Sequence, residues 1–313
     1  MLSFVSRRLA TGVGLIATLA VLTFFFLQFG VSDVAQRIAG QQAGPDAVAV
    51  VEERIGVDRP VLVQFADWAS SALTGDLGRS WFSGQEVTEA VMSRMAVTVS
   101  LAVGSVVLTA IIGITLGALA ATRRGWADRA VQFLAVLGQA IPGFLLAMAL
   151  VLVFAINLDW FPATGYTRPS DDLGAWALSI TLPVVALTVG SIGGVAQQVR
   201  GSMIDAFERD YVRTLRSRGL PRRSIVFQHV LRNAAGPALT VLGLQFVILL
   251  GGAVIVETLF SIPGLGPLAL NATSQGDIPV VMGIVVVTGV IVVLVNTLVD
   301  VVQAWVNPKV RLS

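Results

Sequence analysis

ERDYVRTLRSRGLPRRSIVFQHVLRN, residues 208–233, is dense in arginine and is broken at Gly219-Leu220-Pro221, yet it lies between the apolar runs 176–197 and 237–256. Each of those runs meets the requirement of about 20 mainly apolar residues for a helix across a bilayer core. A segment this basic cannot lie in hydrocarbon, so it must emerge into water between two spans. That alternation predicts an all-α integral membrane protein with a polar elbow on one face of the bilayer.

Composition agrees. In 313 residues, 55% are hydrophobic and 13% charged, with mean hydropathy +0.81, too little polar surface for a water-soluble globule of this size. There are no cysteines and one histidine, His229, which excludes a disulfide framework, a thiolate metal site and a histidine-cluster metal centre. The N-terminal run from Leu9 to Phe29, preceded by Arg7 and Arg8, is about twice the usual signal-peptide core and has no Ala-x-Ala site close behind it. It reads as a retained first span within 1–30. The other spans are expected at 96–121, 130–157, 176–197, 237–256 and 279–305. Small residues recur through them, among them Gly104, Gly113, Gly117, Gly190, Gly193, Gly194, Gly243, Gly251 and Gly252, as expected where helices approach closely in lipid.

Arg7, Arg8, Arg123, Arg124, Arg129, the arginines from Arg200 to Arg232, Lys309 and Arg311 all fall on one side of this six-span arrangement. The positive-inside rule makes that side the cytoplasm, with both termini there. The opposite connections are acidic. They carry Asp33, Asp46, Glu52, Glu53, Asp58, Asp67, Asp76, Glu86 and Glu89 in 31–95, Asp159, Asp171 and Asp172 in 158–175, and Glu257 and Asp277 in 257–278. The first of them, 31–95, holds the amphipathic patterns DAVAVVEERIGV and RPVLVQFADWASSAL and the Gly- and Ser-containing TGDLGRSWFSG. It predicts a small external helical cap, on the membrane surface or over the mouth of the bundle. The remaining 96–313 forms a five-helix core that includes a cytoplasmic loop at 198–236.

Within 203–218, Phe207, Tyr211 and Leu215 share one helical stripe, and Arg209, Arg213 and Arg216 share another. Gly219 is placed to end a helix in the left-handed conformation, and Pro221 to begin the next. The pattern reads as helix, tight corner, helix. Two readings follow: a docking elbow, or a basic loop that fixes topology and touches anionic lipid.

DYVRTLRSRGL (210–220) followed by HVLRNAAGP (229–237) resembles the cytoplasmic loop of ABC-importer permeases, in the form found in the dipeptide/oligopeptide (nickel) permease family. The similarity runs along nearly the whole chain. It includes DRPVLVQFADW, GDLGRSW, FPATGY, LGLQFVILLGGAVIVETLFSIPGLGPLAL and DVVQAWVNPKVR. The resemblance implies a type I importer permease fold in a bacterial or archaeal plasma membrane. It implies that Asp210, Tyr211, Arg213, Thr214, Leu215, Arg216, Arg218, Gly219 and Leu220 form a coupling helix seated in a cytoplasmic ATPase. The expected partners are a second homologous permease, ABC ATPase subunits, an external substrate-binding protein and membrane lipid, with no nucleic acid. This chain would bind no cofactor itself, ATP and Mg residing on the ATPases, and it contains no G-x-x-x-x-G-K-[ST] loop. The implied cargo is di- or oligopeptides, the alternatives being nickel complexes, glutathione or another small solute. Leu215 stands where the family usually has alanine, which implies a compensating hollow in the partner.

Other residues carry two readings each. Glu257, Phe260, Pro263, Gly264 and Gly266, with Pro267, form either an external gate or a structural turn, re-entrant or tightly folded. Asp300, with Asn296 a turn earlier, serves transport or is simply hydrated or paired. Gln139, Pro142 and Pro183 open a pathway or kink a structural span. Trp68, Trp81, Trp160 and Trp176 read as belt anchors, and His229 as a surface or interface residue. An ion-coupled secondary transporter would show mid-membrane acids or internal repeats, and an intramembrane enzyme a cluster of catalytic groups. The sequence shows neither.

Overall fold

The computed structural model describes residues 2–30, 32–123 and 125–306. Arg124 and residues 307–313, which include Lys309 and Arg311, lie outside the described residues, as does the side chain of Asp33. Among the described residues the regular elements are helices: α1 (Leu2–Leu27), α2 (Ser32–Ala39), α3 (Pro45–Ile55), α4 (Val61–Leu73), α5 (Val87–Thr122), α6 (Trp126–Ala140), α7 (Gly143–Leu150), α8 (Leu173–Glu208), α9 (Asp210–Ser217), α10 (Arg222–Ser224), α11 (Leu231–Leu259), α12 (Leu265–Gln275) and α13 (Ile278–Val306). A π-helical stretch, Val151–Asn157, continues α7, and another, Ile225–Val230, joins α10 to α11.

Among the described residues, five helices are long and apolar enough to cross a membrane, or six spans if one bent pair counts as a single crossing. The bent pair covers the span expected at 130–157, and the kink falls at Pro142, one of the residues read as kinking a span. Trp126–Ala140 and Gly143–Asn157 meet at 93°, because Pro142 has no N–H to give and forces the residue before it out of the helical region. Ile141 is accordingly extended, at φ −83° and ψ 120°. Pro183 has no such effect: it is buried inside an unbroken α8. α5 and α8 have 36 residues each, about 54 Å at 1.5 Å per residue against a hydrocarbon core of about 30 Å. Both therefore project well into water. α5 begins at Val87, inside the segment assigned from sequence to the external cap, and α8 runs to Glu208, into the loop assigned from sequence to the cytoplasm.

The chain divides into two compact units, Met1–Val97 with Pro263–Leu294, and Thr98–Ile262 with Val295–Ser313. In the first, α1 lies against α13. A Cβ on Gly12 would meet Val293, and one on Gly289 would meet Ile16. Around the end of that pair, Phe24 and Ala20 of α1, Ile278 and Met282 of α13, Val57, and Phe65 and Trp68 of α4 form one cluster with Trp81. Trp68 and Trp81 thus pack inside the unit, whereas Trp160, in the other unit, is 61% exposed and matches the belt expectation better. The loop after α4 is a tight hairpin, with Ser80 N–H donating to Gln85 O and Val87 N–H to Gly78 O. The loop is pinned by Asp277, which accepts from Ser80 Oγ at 2.5 Å and from Trp81 N–H at 3.2 Å.

The second unit is built on α8. Gly113 and Gly117 of α5 let that helix approach until an added Cβ would stand 2.9 Å from Val195 and 2.6 Å from the Ala196 carbonyl oxygen. Gly193 of α8 similarly faces the Ala135 carbonyl of α6. Gly190, Gly194, Gly251 and Gly252 meet nothing within 4 Å, so only part of the glycine pattern is used for packing inside this chain. At one end of the unit, Arg200 holds Asp128 of α6 in a bidentate pair, 2.5 and 2.8 Å, and Gln132 donates to the same carboxylate.

Candidate functional site

The basic elbow lies wholly in the second unit. The helix expected to be continuous over 203–218 is broken at Arg209, which is extended at φ −71° and ψ 147° and ends α8 while opening α9. The break turns α9 without releasing it. Val212 is fully buried and Tyr211 and Leu215 are half-buried, all against Val199, Met203 and Ala206 of α8 and Ile225, Val226 and Val230 beyond the corner. Leu215 therefore packs partly onto this chain's own core. Asn233 donates to the Tyr211 hydroxyl at 3.2 Å and to the His229 carbonyl at 2.9 Å, tying α9 to the start of α11.

The corner is made by backbone geometry. Gly219 has φ +77°, a region that costs other L-residues about 1–2 kcal/mol. In that conformation Gly219 N–H reaches Arg216 O at 3.0 Å, and Leu220 N–H reaches Leu215 O at 3.2 Å. These are the two bonds of a Schellman termination, and Leu215 and Leu220 are the residues at its hydrophobic contact positions. Pro221 then stands at the N-cap of α10 at φ −63°, one residue earlier than a first-turn proline. Arg222 at once turns back to donate to the Thr122 carbonyl at 2.7 Å, placing a cation on the C-terminal carbonyls of α5. Sequence periodicity could not have found this contact, which spans a hundred positions.

What remains outward on α9 is polar. Asp210, Arg213, Thr214, Arg216 and Ser217, with Arg218 and Gly219 beyond them, are exposed. Arg213 and Arg216 border an open groove of about 1110 Å³ with Glu208, Arg222, Phe207 and Thr122. The Asp210–Arg213 contact is 3.5 Å between fully solvated groups and adds little stability. The elbow thus presents a helix with one face packed onto α8 and the start of α11 and the other exposed. His229 is half-buried and binds through its backbone carbonyl.

The residues read as gate or turn fall in both units. In the second, Glu257 and Phe260 are buried, at 0% and 1% exposure. Thr98 Oγ1 donates to Glu257 at 2.6 Å, and Gly165 N–H, within FPATGY, donates to Phe260 O at 2.8 Å. α11 ends in another termination of the same kind: Ile262 N–H reaches Glu257 O, while Ser261, not glycine, takes the left-handed position at φ 52°. In the first unit, Gly264 caps α12, and Gly266 and Pro267 lie in its first turn, where a missing N–H leaves no bond unmade. The expected turned or re-entrant segment is therefore confined to the residues before Leu265, and an eleven-residue helix follows. Asp300 is half-buried and Asn296 exposed. Among the described residues no group of three His, Asp or Glu could hold a metal ion.

A chain of five long apolar helices and a broken one, with a structured basic elbow between α8 and α11, is a multi-pass membrane protein. The model for the binding-protein-dependent transport system inner membrane component matches residues 113–312. A second model, for the N-terminal part of such membrane components, matches residues 1–102. The chain belongs to this family. It is 35% identical over 98% of its length to the "Probable peptide ABC transporter permease protein y4tP" of Sinorhizobium fredii, covering 99% of that protein. It is 37% identical over 99% of its length to the "Glutathione transport system permease protein GsiC" of Salmonella choleraesuis, again covering 99%. Among solved structures, an inward-facing MetNI methionine ABC transporter chain matches with a TM-score of 0.56 and 20% identity, over 69% of this chain and 96% of that one. This likeness concerns the fold, that of an ABC importer permease. The chain is accordingly a multi-pass inner-membrane permease subunit of a binding-protein-dependent importer. It works with ATPase subunits, on which ATP is hydrolysed, and with a substrate-binding protein.

Proposed function

We propose that this chain is one of two homologous permease subunits that together import di- or oligopeptides into a bacterial or archaeal cell, with both its termini in the cytoplasm. The carrying observation is the clamped elbow. α9 is fixed by Val212 and by the Tyr211–Asn233 bond, and it is joined through the Gly219 corner to the unbroken helical run Arg222–Leu259. A push on the exposed face at Asp210, Arg213, Thr214, Arg216 and Arg218 is then passed to the α8 and α11 spans as a rigid-body displacement, because packed helices shift between discrete arrangements and do not deform smoothly. Tyr211, Leu215, Gly219 and Leu220 keep that lever stiff. The chain holds no nucleotide or metal of its own; ATP and Mg belong to the ATPases.

At the other end of α11, Glu257 and Phe260 act as the outer gate within their unit, held to α5 by Thr98 and to the FPATGY loop by Gly165. Pro263, Gly264 and Gly266 shape the chain as it leaves. The open glycine face of α8 and α11, at Gly190, Gly194, Gly251 and Gly252, supports pairing with a second permease. Peptide cargo is supported by the peptide-permease relative, and glutathione, itself a small peptide, is the second reading because the glutathione-permease relative is equally similar along the whole chain.

The test is uptake of labelled di-, tri- and tetrapeptides and of glutathione by cells expressing the complete importer. Peptide uptake that disappears when this chain is deleted supports the reading. Robust ATP-dependent uptake by this polypeptide alone in liposomes overturns the heteromeric assignment. Orientation is checked with single cysteines at Ser70, Ser170 and Ser217. The first two should react with an impermeant thiol reagent in intact cells and the third only after lysis.

A further inference from the structure

We infer that α4 is a membrane-interface helix whose exposed apolar stripe lies among the acyl chains of phospholipid, in the leaflet at the C-terminal end of α1. α4 divides lengthwise into three faces. Phe65, Trp68 and Ala72 turn inward, to the two clusters of their unit. Asp67 and Ser70 are exposed on a polar side, where Arg59 reaches Asp67 at 2.7 Å. Between these faces, Leu62, Ala66, Ala69 and Leu73 follow one another at helical spacing. Leu62 is 71% and Leu73 90% exposed, the arrangement of a helix lying in the plane of a bilayer surface.

What covers that stripe follows from where α4 crosses α1. The Phe65 ring lies 5.3 Å from Phe24 and 6.2 Å from Phe25 by centroid, and Gln28 donates to Gln64 at 3.4 Å. Phe24 and Phe25 lie within the apolar span Ser6–Gly30; Phe24 is about 7 Å along the helix inside its last aromatic residue, Phe29. The crossing is therefore at the depth where hydrocarbon begins. Phe25 both touches Phe65 and is 37% exposed, and it shares an outward face with Leu22 and Phe26, at 50% and 70%. That lipid-facing surface of α1 continues directly into α4. At this depth an apolar stripe meets acyl chains, while Asp67 and Ser70 on the neighbouring face reach the headgroup water.

The test uses the cysteine-free background of this chain, in the assembled importer with partner cysteines replaced, in phospholipid nanodiscs. Spin labels are placed singly at Leu62→Cys, Leu73→Cys, Asp67→Cys and Ser70→Cys, all surface positions that need no repacking. Collision rates are then measured with oxygen, which concentrates in the bilayer, and with a water-soluble nickel chelate. The expected result is a reversal of sign in the logarithm of the oxygen-to-nickel ratio, oxygen dominating at 62 and 73 and nickel at 67 and 70. Nickel-dominated labels at 62 and 73 would place the stripe in water. Low access to both reagents would mean that a partner subunit covers it. Either outcome overturns the inference. The readout requires no transport, so it fails or succeeds independently of the peptide-import reading.

Discussion

Replacing Gly219 isolates the corner from everything around it. An added Cβ would meet nothing within 4 Å, so any side chain fits sterically, and what changes is the backbone energy at φ +77°. The closed corner is held by two hydrogen bonds, from Gly219 and Leu220, each worth about 1 kcal/mol net. Left-handed strain is about 1 kcal/mol for alanine and up to about 3 for β-branched valine. The opened fraction then rises from about 3% for glycine to about 15% for alanine and to as much as about 80% for valine. Binding-protein-stimulated ATPase activity of the reconstituted importer should fall little for Gly219→Ala and by about two- to fivefold for Gly219→Val, in proportion to the closed fraction. Gly219→Asn should stay near the parent, because asparagine tolerates this conformation. Membrane abundance of all three should be unchanged, since long apolar spans insert regardless. Full stimulated activity in the valine variant would refute the lever, leaving the arginines of the loop as topology signals only.

Three further perturbations test how the units are held. Asp277→Ala removes both anchors of the Ser80–Trp81 hairpin and should cost about 2–3 kcal/mol locally, read as faster hydrogen exchange over residues 78–87 with little change elsewhere; Asp277→Asn, which still accepts from Ser80, should be milder. Asp128→Asn leaves the part-buried Arg200 without its bidentate partner and should cost about 1–3 kcal/mol, between the values for exposed and buried pairs. A double-mutant cycle with Arg200→Gln in thermal unfolding should show coupling of at least about 1 kcal/mol. Gly117→Ala drives a methyl group into the Ala196 carbonyl at 2.6 Å and should sharply lower folded yield, whereas Gly190→Ala, with nothing within 4 Å, should match the parent.

The amino-acid sequence by itself determined the bilayer as solvent and the polar segments that cannot lie in it. Both depend on local composition: a run of apolar residues long enough to cross has no other stable environment, and arginines cannot follow it in. It also determined the Gly219 corner, because a termination of this kind is written in one backbone conformation and the residue that allows it. The structure alone decided what each emerging segment touches. Pro142 and Pro183 look equivalent in sequence, yet one breaks a helix at 93° and the other is absorbed by the packing of α8. Leu215 packs partly onto this chain's core, Asn233 reaches Tyr211, and Arg222 caps α5, all through contacts between segments brought together only by folding. Glu257, one external acid among several in the sequence, is buried beside Thr98. Periodicity reports which face of a helix is apolar; the neighbour that covers that face is fixed by packing between elements distant along the chain, and no local pattern encodes it.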